Sequence, residues 1–296
     1  MLLKLYFNKI NMFRLILALF LLIILFGILS NFTFIVNQNN GRFIEIITYS
    51  QLHNNYNFNK TELEYDILEN INDAREEINE DNLTYDPVLS LIARNYAKRM
   101  FYKKFFEHRD PYTGYTVKDR LKTKGIYYPL IAENLVYLKN IQVDSNFVSR
   151  KMFDLWMQSK EHRKNMLNPK FNRCGVGVYC ENNTCYGVTI FASNKFESKI
   201  NISYNKLLEL NLIPKEYNFS EVNVSIKCNN PIHVNVLVSK EDVINFEEGY
   251  GFKEIYESNG PYINFKITVP PGSYIVFKEF NENLIASCNV KIEYYY

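Results

Sequence analysis

Residues 159–169 read SKEHRKNMLNP and directly follow an apolar-periodic run that holds the chain's only tryptophan. Val148, Met152, Leu155 and Trp156 recur at helical spacing, which predicts a helix up to this point. Asn168-Pro169 forbids its continuation, because proline lacks an amide hydrogen and pushes the residue before it out of the helical region. His162 is therefore expected just past a helix end, where its ring can point into a groove. Two other pieces have the residues to meet it there: FEHRDPYTG at 106–114 and AENL at 132–135.

Each of these pieces brings one group with chemistry. Phe105-Phe106 closes an upstream helix and residues 110–114 make a turn, so His108 sits in a loop, where binding groups concentrate. Glu133 lies between Ile131-Ala132 and Asn134-Leu135; a carboxylate in such an apolar context has to be paired, and the histidines are its expected partners. Two neutral imidazoles and a carboxylate suit zinc or another divalent metal and leave coordination positions to water. The same groups without metal can act as acid and base. Spacing does not choose between the two, and no H-E-x-x-H metal signature is present.

The ordered set of pieces resembles the SCP/CAP family of cysteine-rich secretory proteins, venom antigens and plant pathogenesis-related proteins, in its short microbial form. The resemblance rests on a first helix at 62–79, Tyr85-Asp86-Pro87-Val88-Leu89 as a helix start, the loop 107–114, residues 132–135, residues 156–167, and Gly175-Val176-Gly177 in a strand. It covers about 61–192. It implies an α-β-α sandwich and a cavity faced by His108, Glu133 and His162. This chain departs from the family's two-histidine, two-glutamate pattern: Ser159 stands where the second acid belongs, Glu107 precedes the first histidine, and Ala132 precedes Glu133.

The rest of the chain sets the frame. At 296 residues about two domains are expected, and 47% hydrophobic with 22% charged residues is ordinary for a chain that buries a core. Lys+Arg 34 against Asp+Glu 32 gives a net charge of only +2, which supplies no field for nucleic acid. Lys4, Lys9 and Arg14 precede an apolar run from Leu15 to Leu29 that Phe32, Phe34, Ile35 and Val36 extend to roughly the 20 residues that span a bilayer. An uncleaved signal anchor at 15–36 is expected, with 1–14 cytoplasmic and everything downstream outside; cleavage and secretion is the alternative. Residues 37–60 read as a spacer.

Within the first domain, Thr61 and Glu64 form a capping box ahead of the apolar stripe Leu63, Ile67, Ile71, Ala74 and Ile78. Asp86-Pro87 opens a second helix burying Leu89, Ile92, Ala93, Tyr96 and Met100, with Arg94, Lys98 and Arg99 on a solvated face. Arg163 and Asn165 are expected to brace the loop after the tryptophan helix. Residues 173–180 and 185–192 read as a hairpin, across which Cys180 and Cys185 pair, leaving Cys174 as a buried thiol. The first domain spans 61–195 and a linker follows at 196–217 with a short helix at 204–212. At 218–296 the period becomes two, which predicts a small all-β sandwich with a Cys228–Cys288 disulfide.

The expected function is a membrane-anchored extracellular protein whose His108/Glu133/His162 cavity binds a divalent metal, with a lipid or cell-surface ligand as further partner and no established turnover. The alternatives are a metal-dependent hydrolase or peptidase using the same cavity, and a structural adhesion protein. No G-x-S-x-G elbow or catalytic cysteine pattern is present, so metal-activated water is the only hydrolytic chemistry available.

Overall fold

The computed structural model describes residues 34–37, 43–46, 60–140, 145–204, 206–218, 220–279, 281 and 284–295. Strands β1 (Phe34–Asn37) and β2 (Phe43–Ile46) pair antiparallel, so the last residues of the expected membrane span and part of the expected spacer are a hairpin. The expected cytoplasmic tail and residues 15–33 of the expected anchor lie outside the described residues. Among the described residues no helix is long and apolar enough to cross a membrane. The remainder, from Phe58 to Tyr296, is one compact unit.

Its first half is an α-β-α sandwich. The sheet has the order β3-β5-β6-β4, from β3 (Thr84–Tyr85), β4 (Leu130–Lys139), β5 (Arg173–Glu181) and β6 (Thr184–Ser193). On one face lie α1 (Lys60–Glu76), α4 (Ser145–Gln158) and α5 (Lys160–Met166), burying Leu63, Ile67, Met152 and Trp156. On the other lie α2 (Pro87–Lys103) and α3 (Val117–Lys122), burying Leu89, Ile92, Tyr96, Met100 and Leu121. Asp86 caps α2 as expected, accepting from the Val88 and Leu89 amides, both at 3.0 Å.

Two helix readings change. α1 begins at Lys60, one residue before the expected cap, and ends at Glu76, so Ile78 is exposed rather than part of the stripe. Glu64 does not serve the helix end. Its carboxylate is buried and accepts from the Arg94 guanidinium and, at 2.9 Å, from the Val178 amide. Arg94 is thus no solvated charge, and neither is Arg99, which pairs with buried Asp110. Both arginines pair with buried carboxylates, whose charge would be costly to bury without a partner.

The second half is a six-stranded sheet, built from β7 (Lys195–Ser203), β8 (Leu207–Asn211), β9 (Ser220–Leu237), β10 (Glu254–Val269), β11 (Tyr274–Lys278) and β12 (Ile285–Tyr295), with α6 (Lys240–Glu248) beside it. The expected sandwich of two sheets is one sheet, because the long strands β9 and β10 run through both halves. One core joins Val222, Val224 and Ile226 to Val234, Val236 and Phe277. The expected linker at 196–217 is replaced by β7 and β8, and the expected helix at 204–212 by β8. β7 pairs with the last strand from Lys195 onward, so the all-β part starts where the first sheet ends.

The junction is packed rather than loose. Asn194 exchanges hydrogen bonds with the Tyr294 backbone at 3.0 and 2.8 Å, and Tyr127 stacks edge-on against Tyr217 and Tyr294. Both expected disulfides form. Cys180 and Cys185 face each other across the β5–β6 hairpin, whose turn residues Asn182 and Asn183 are left-handed, and Cys228 faces Cys288 between β9 and β12. Cys174 is free and buried, and burial pushes its thiol far above the usual range.

Candidate functional site

Strand β4 organises the site because its alternation sends consecutive residues to opposite faces of the sheet. Glu133 turns toward α2 and α3, and Asn134 toward α5. Both are buried, and both are tied by hydrogen bonds that fix the histidines.

On the α2 side, Glu133 Oε1 is 2.9 Å from His108 Nδ1 and its Oε2 accepts from the Arg120 guanidinium. That guanidinium lies 3.4 Å from the centroid of the Tyr96 ring. Tyr96 in turn donates its hydroxyl to the Glu107 carbonyl at 2.7 Å, directly before His108. Glu133, Arg120, Tyr96 and the 107–108 backbone so form a closed ring of contacts. Burial pushes the Tyr96 hydroxyl up to about 12, which keeps it a donor across the physiological range.

The loop carrying His108 is fixed independently. Asp110 accepts from the Tyr112 and Thr113 amides at 2.8 and 3.2 Å and pairs with Arg99. The Arg99 bond, followed by those amides, holds its carboxyl below the ordinary aspartate range. Arg109 closes the turn by donating to the Gly114 carbonyl at 2.8 Å.

On the α5 side, the helix reading is corrected by one turn. The tryptophan helix ends at Gln158, and Ser159 caps a separate short helix in whose first turn His162 lies. Ser159, standing in the family's second acid position, is therefore the structural break. Asn134 donates to the His162 carbonyl at 3.0 Å and accepts from Asn165 at 2.9 Å, so Asn165 braces this segment as expected. Arg163 is exposed, and among the described residues the brace is Arg75, fully buried on α1, which donates to the carbonyls of Asp81, Met166 and Asn168 at 2.7, 2.8 and 3.0 Å. Burial, and next the nearby His108, holds the His162 imidazole below its usual value, with Glu161 opposing. His162 is thus biased to the neutral form that can ligate a metal.

Among the described residues no group of three or more His, Cys, Asp or Glu side chains is close enough to hold a metal ion. The expected set of His108, Glu133 and His162 reduces to two imidazoles, since both oxygens of Glu133 are engaged by His108 and Arg120. Glu133 thus stands behind His108, with Arg120 on its other oxygen, and the nearness of the two histidines is felt in the lowered His162 value. With Nδ1 on Glu133, Nε2 of His108 is the nitrogen left for a ligand, and that side chain is 59% exposed. Arg120, Arg75 and Asn134 are the positioning residues that sequence reading did not identify. Only Asn134 carried a signal, being adjacent to Glu133.

The α-β-α sandwich thus carries a buried glutamate on its edge strand β4 and a histidine in the segments on either side of that strand. Residues 68–194 match the profile of the cysteine-rich secretory protein family, CAP, and the chain carries a domain of that family over this segment. The uncharacterized protein YkwD of Bacillus subtilis (strain 168) is 35% identical over 95 residues, which are 32% of this chain and 34% of that protein. The crystal structure of an extracellular protein containing a SCP domain from Bacillus anthracis str. Ames is 28% identical, covering 45% of this chain and 41% of its own, with a TM-score of 0.39. An outer surface protein from Borrelia burgdorferi is 20% identical, over 45% of this chain and 93% of its own, with a TM-score of 0.39. The chain thus spans about a third of the length of the curated relative it matches.

Proposed function

We propose that this chain is an extracellular CAP-domain binding protein whose cavity takes a divalent metal such as zinc between His108 and His162, without turnover of its own. The observation that carries this reading is the hydrogen bond from His108 Nδ1 to Glu133 Oε1 at 2.9 Å, with Arg120 holding the other carboxylate oxygen. A carboxylate behind a histidine fixes the ring's orientation and raises its basicity toward a ligand on the far nitrogen. The depressed affinity of His162 for protons supports the same use. When bound, the ion would supply an open coordination position for a donor group of a lipid or cell-surface partner. The chain's own groups orient the imidazoles: Arg120 and Glu133 on one side, Asn134 and Arg75 on the other.

Anchorage by the apolar segment ahead of β1, residues 15–33, with both domains outside, remains part of this proposal. Its support is the basic flank and apolar run in the sequence, together with two disulfides, which persist in oxidising compartments. The test of the site is zinc calorimetry on the full-length protein. Binding in the micromolar range or tighter is expected, abolished by His108→Ala and by His162→Ala. Glu133→Gln should weaken it by about 10–100-fold. Absence of binding, or binding that survives both histidine substitutions, would overturn the assignment.

A further inference from the structure

The second domain has a groove unrelated to the histidine site. Antiparallel pairing sets Lys199 on β7, Asn289 on β12, Lys227 on β9 and Tyr262 on β10 side by side in one row across four strands. Ser225 and Asn264 stand next to each other in the adjacent row. Their strand neighbours Ile226 and Val290 are buried in the core, so these six residues lie on the opposite, outer side. They help line a cavity of about 650 Å³.

The charges in this groove divide into spent and free. Lys291 lies 3.8 Å from Glu197 and 3.2 Å from Glu293, so its charge is met within the sheet. Among the described residues Lys199 and Lys227 make no ion pair. They flank Asn289, and strand spacing places their backbones about 10 Å apart. Tyr262 is 66% exposed, with the Lys227 ammonium 5.8 Å from its ring centroid.

These groups select a ligand class. Two amides and a hydroxyl offer donors and acceptors to hydroxyl groups, and one exposed ring offers an apolar face for a pyranose to lie on. Two free ammonium groups at a two-strand interval suit acidic groups on alternate sugars of a linear chain. An apolar peptide or acyl chain would find Tyr262 as its only exposed apolar side chain in this row. A lone phosphate would engage a lysine and leave the rest of the cavity unused.

We propose that this groove binds a linear acidic oligosaccharide, with carboxylates or sulfates held by Lys199 and Lys227 and a sugar ring on Tyr262. The test is binding of defined decasaccharides to the full-length protein at two salt concentrations: hyaluronan, with carboxylates only; chondroitin sulfate, with sulfates as well; and an uncharged chitin oligomer. At least one acidic decasaccharide should bind, more weakly at high salt. The double variant Lys199→Ala/Lys227→Ala should lose about tenfold or more in affinity, as two exposed charge contacts allow. Tyr262→Ala should weaken binding as well, whereas Lys253→Ala, on the same domain outside the groove, should not. All four replaced residues are exposed, and unchanged circular dichroism would verify that the variants fold. Selective binding of hyaluronan assigns carboxylate as the acid, and of chondroitin sulfate assigns sulfate. Equal binding of the chitin oligomer, indifference of the acidic sugars to the lysine substitutions, or no binding of either acidic decasaccharide overturns the proposal.

Discussion

A methyl group added at Gly177 tests how closely helix and sheet are packed beneath the site. Gly177 lies on β5 directly under α2, and its added Cβ would stand 2.0 Å from the Arg94 amide nitrogen and 2.4 Å from the Ala93 carbonyl carbon. Ordinary contact begins at 3.4 Å, so the helix must retreat by 3.4 − 2.0, or 1.4 Å. What resists is backbone, not a side chain that can swing aside. Overpacking a core costs typically about 1–3 kcal/mol, and a gap of 0.5–1 Å already forfeits about a quarter to a half of a dispersion contact. Lifting α2 also strains the Arg94–Glu64 pair, so Gly177→Ala should cost about 3 kcal/mol, the top of that range. Trp156 is the chain's only tryptophan and is buried in the first domain, so its fluorescence during urea unfolding reports on that domain. The matching loss in melting temperature is about 6–12 °C for a unit of this size. Gly251→Ala, where nothing lies within 4 Å, serves as control and should stay within about 0.5 kcal/mol of the parent. If Gly177→Ala is as mild as the control, the close approach of α2 to β5 is wrong.

Arg75→Met should cost about 4 kcal/mol by the same fluorescence assay, because it takes the donor from the carbonyls of Asp81, Met166 and Asn168, the Met166 bond buried and the other two partly so; a loss below about 1 kcal/mol would show that water replaces the guanidinium. The two disulfides should differ in worth. Cys228–Cys288, with a sequence separation of 60, contributes about 4 kcal/mol by loop-closure entropy, and Cys180–Cys185, with a separation of 5, about 2 kcal/mol. Denaturant unfolding of the paired Cys→Ala variants, followed by circular dichroism, checks the order. Asp110 carries a pH signature: its folded carboxyl stays ionised below the pH at which the unfolded one protonates, so its contribution is present above the unfolded value near 3.8 and is lost as pH falls through the depressed folded one. Between pH 5 and 3 the parent's urea midpoint should therefore fall further than that of Asp110→Asn, and equal slopes would contradict the Arg99 pairing.

The parts of this fold legible in the sequence are those with local causes. Asp86-Pro87 starts α2 because cap and proline act within one turn, and Asn182-Asn183 between two cysteines announces a hairpin. Period-two alternation at Val222, Val224 and Ile226 marks β9. Strand β7 escaped because Ser198 interrupts its apolar positions Phe196, Ile200 and Ile202. The site was half legible for the same reason. His108, Glu133 and His162 stand in recognisable local patterns, but Arg120 reaches Glu133 across 13 residues and Arg75 reaches Met166 across 91. An arginine on a helix reads as solvated until its partner is placed by the fold, as Arg94 and Glu64 show. Ser159 read as a lost acid, whereas its oxygen accepts from the His162 amide and restarts the helix.

The proposed ligand set is the two imidazoles of His108 and His162, with Glu133 behind the first. Zinc K-edge X-ray absorption of the zinc-loaded full-length protein tests it most directly. Two imidazole nitrogens and otherwise light oxygen ligands are expected in the parent, and neither His108→Ala nor His162→Ala should retain this two-imidazole spectrum. A spectrum showing sulfur ligation, or one unchanged by either substitution, would contradict it.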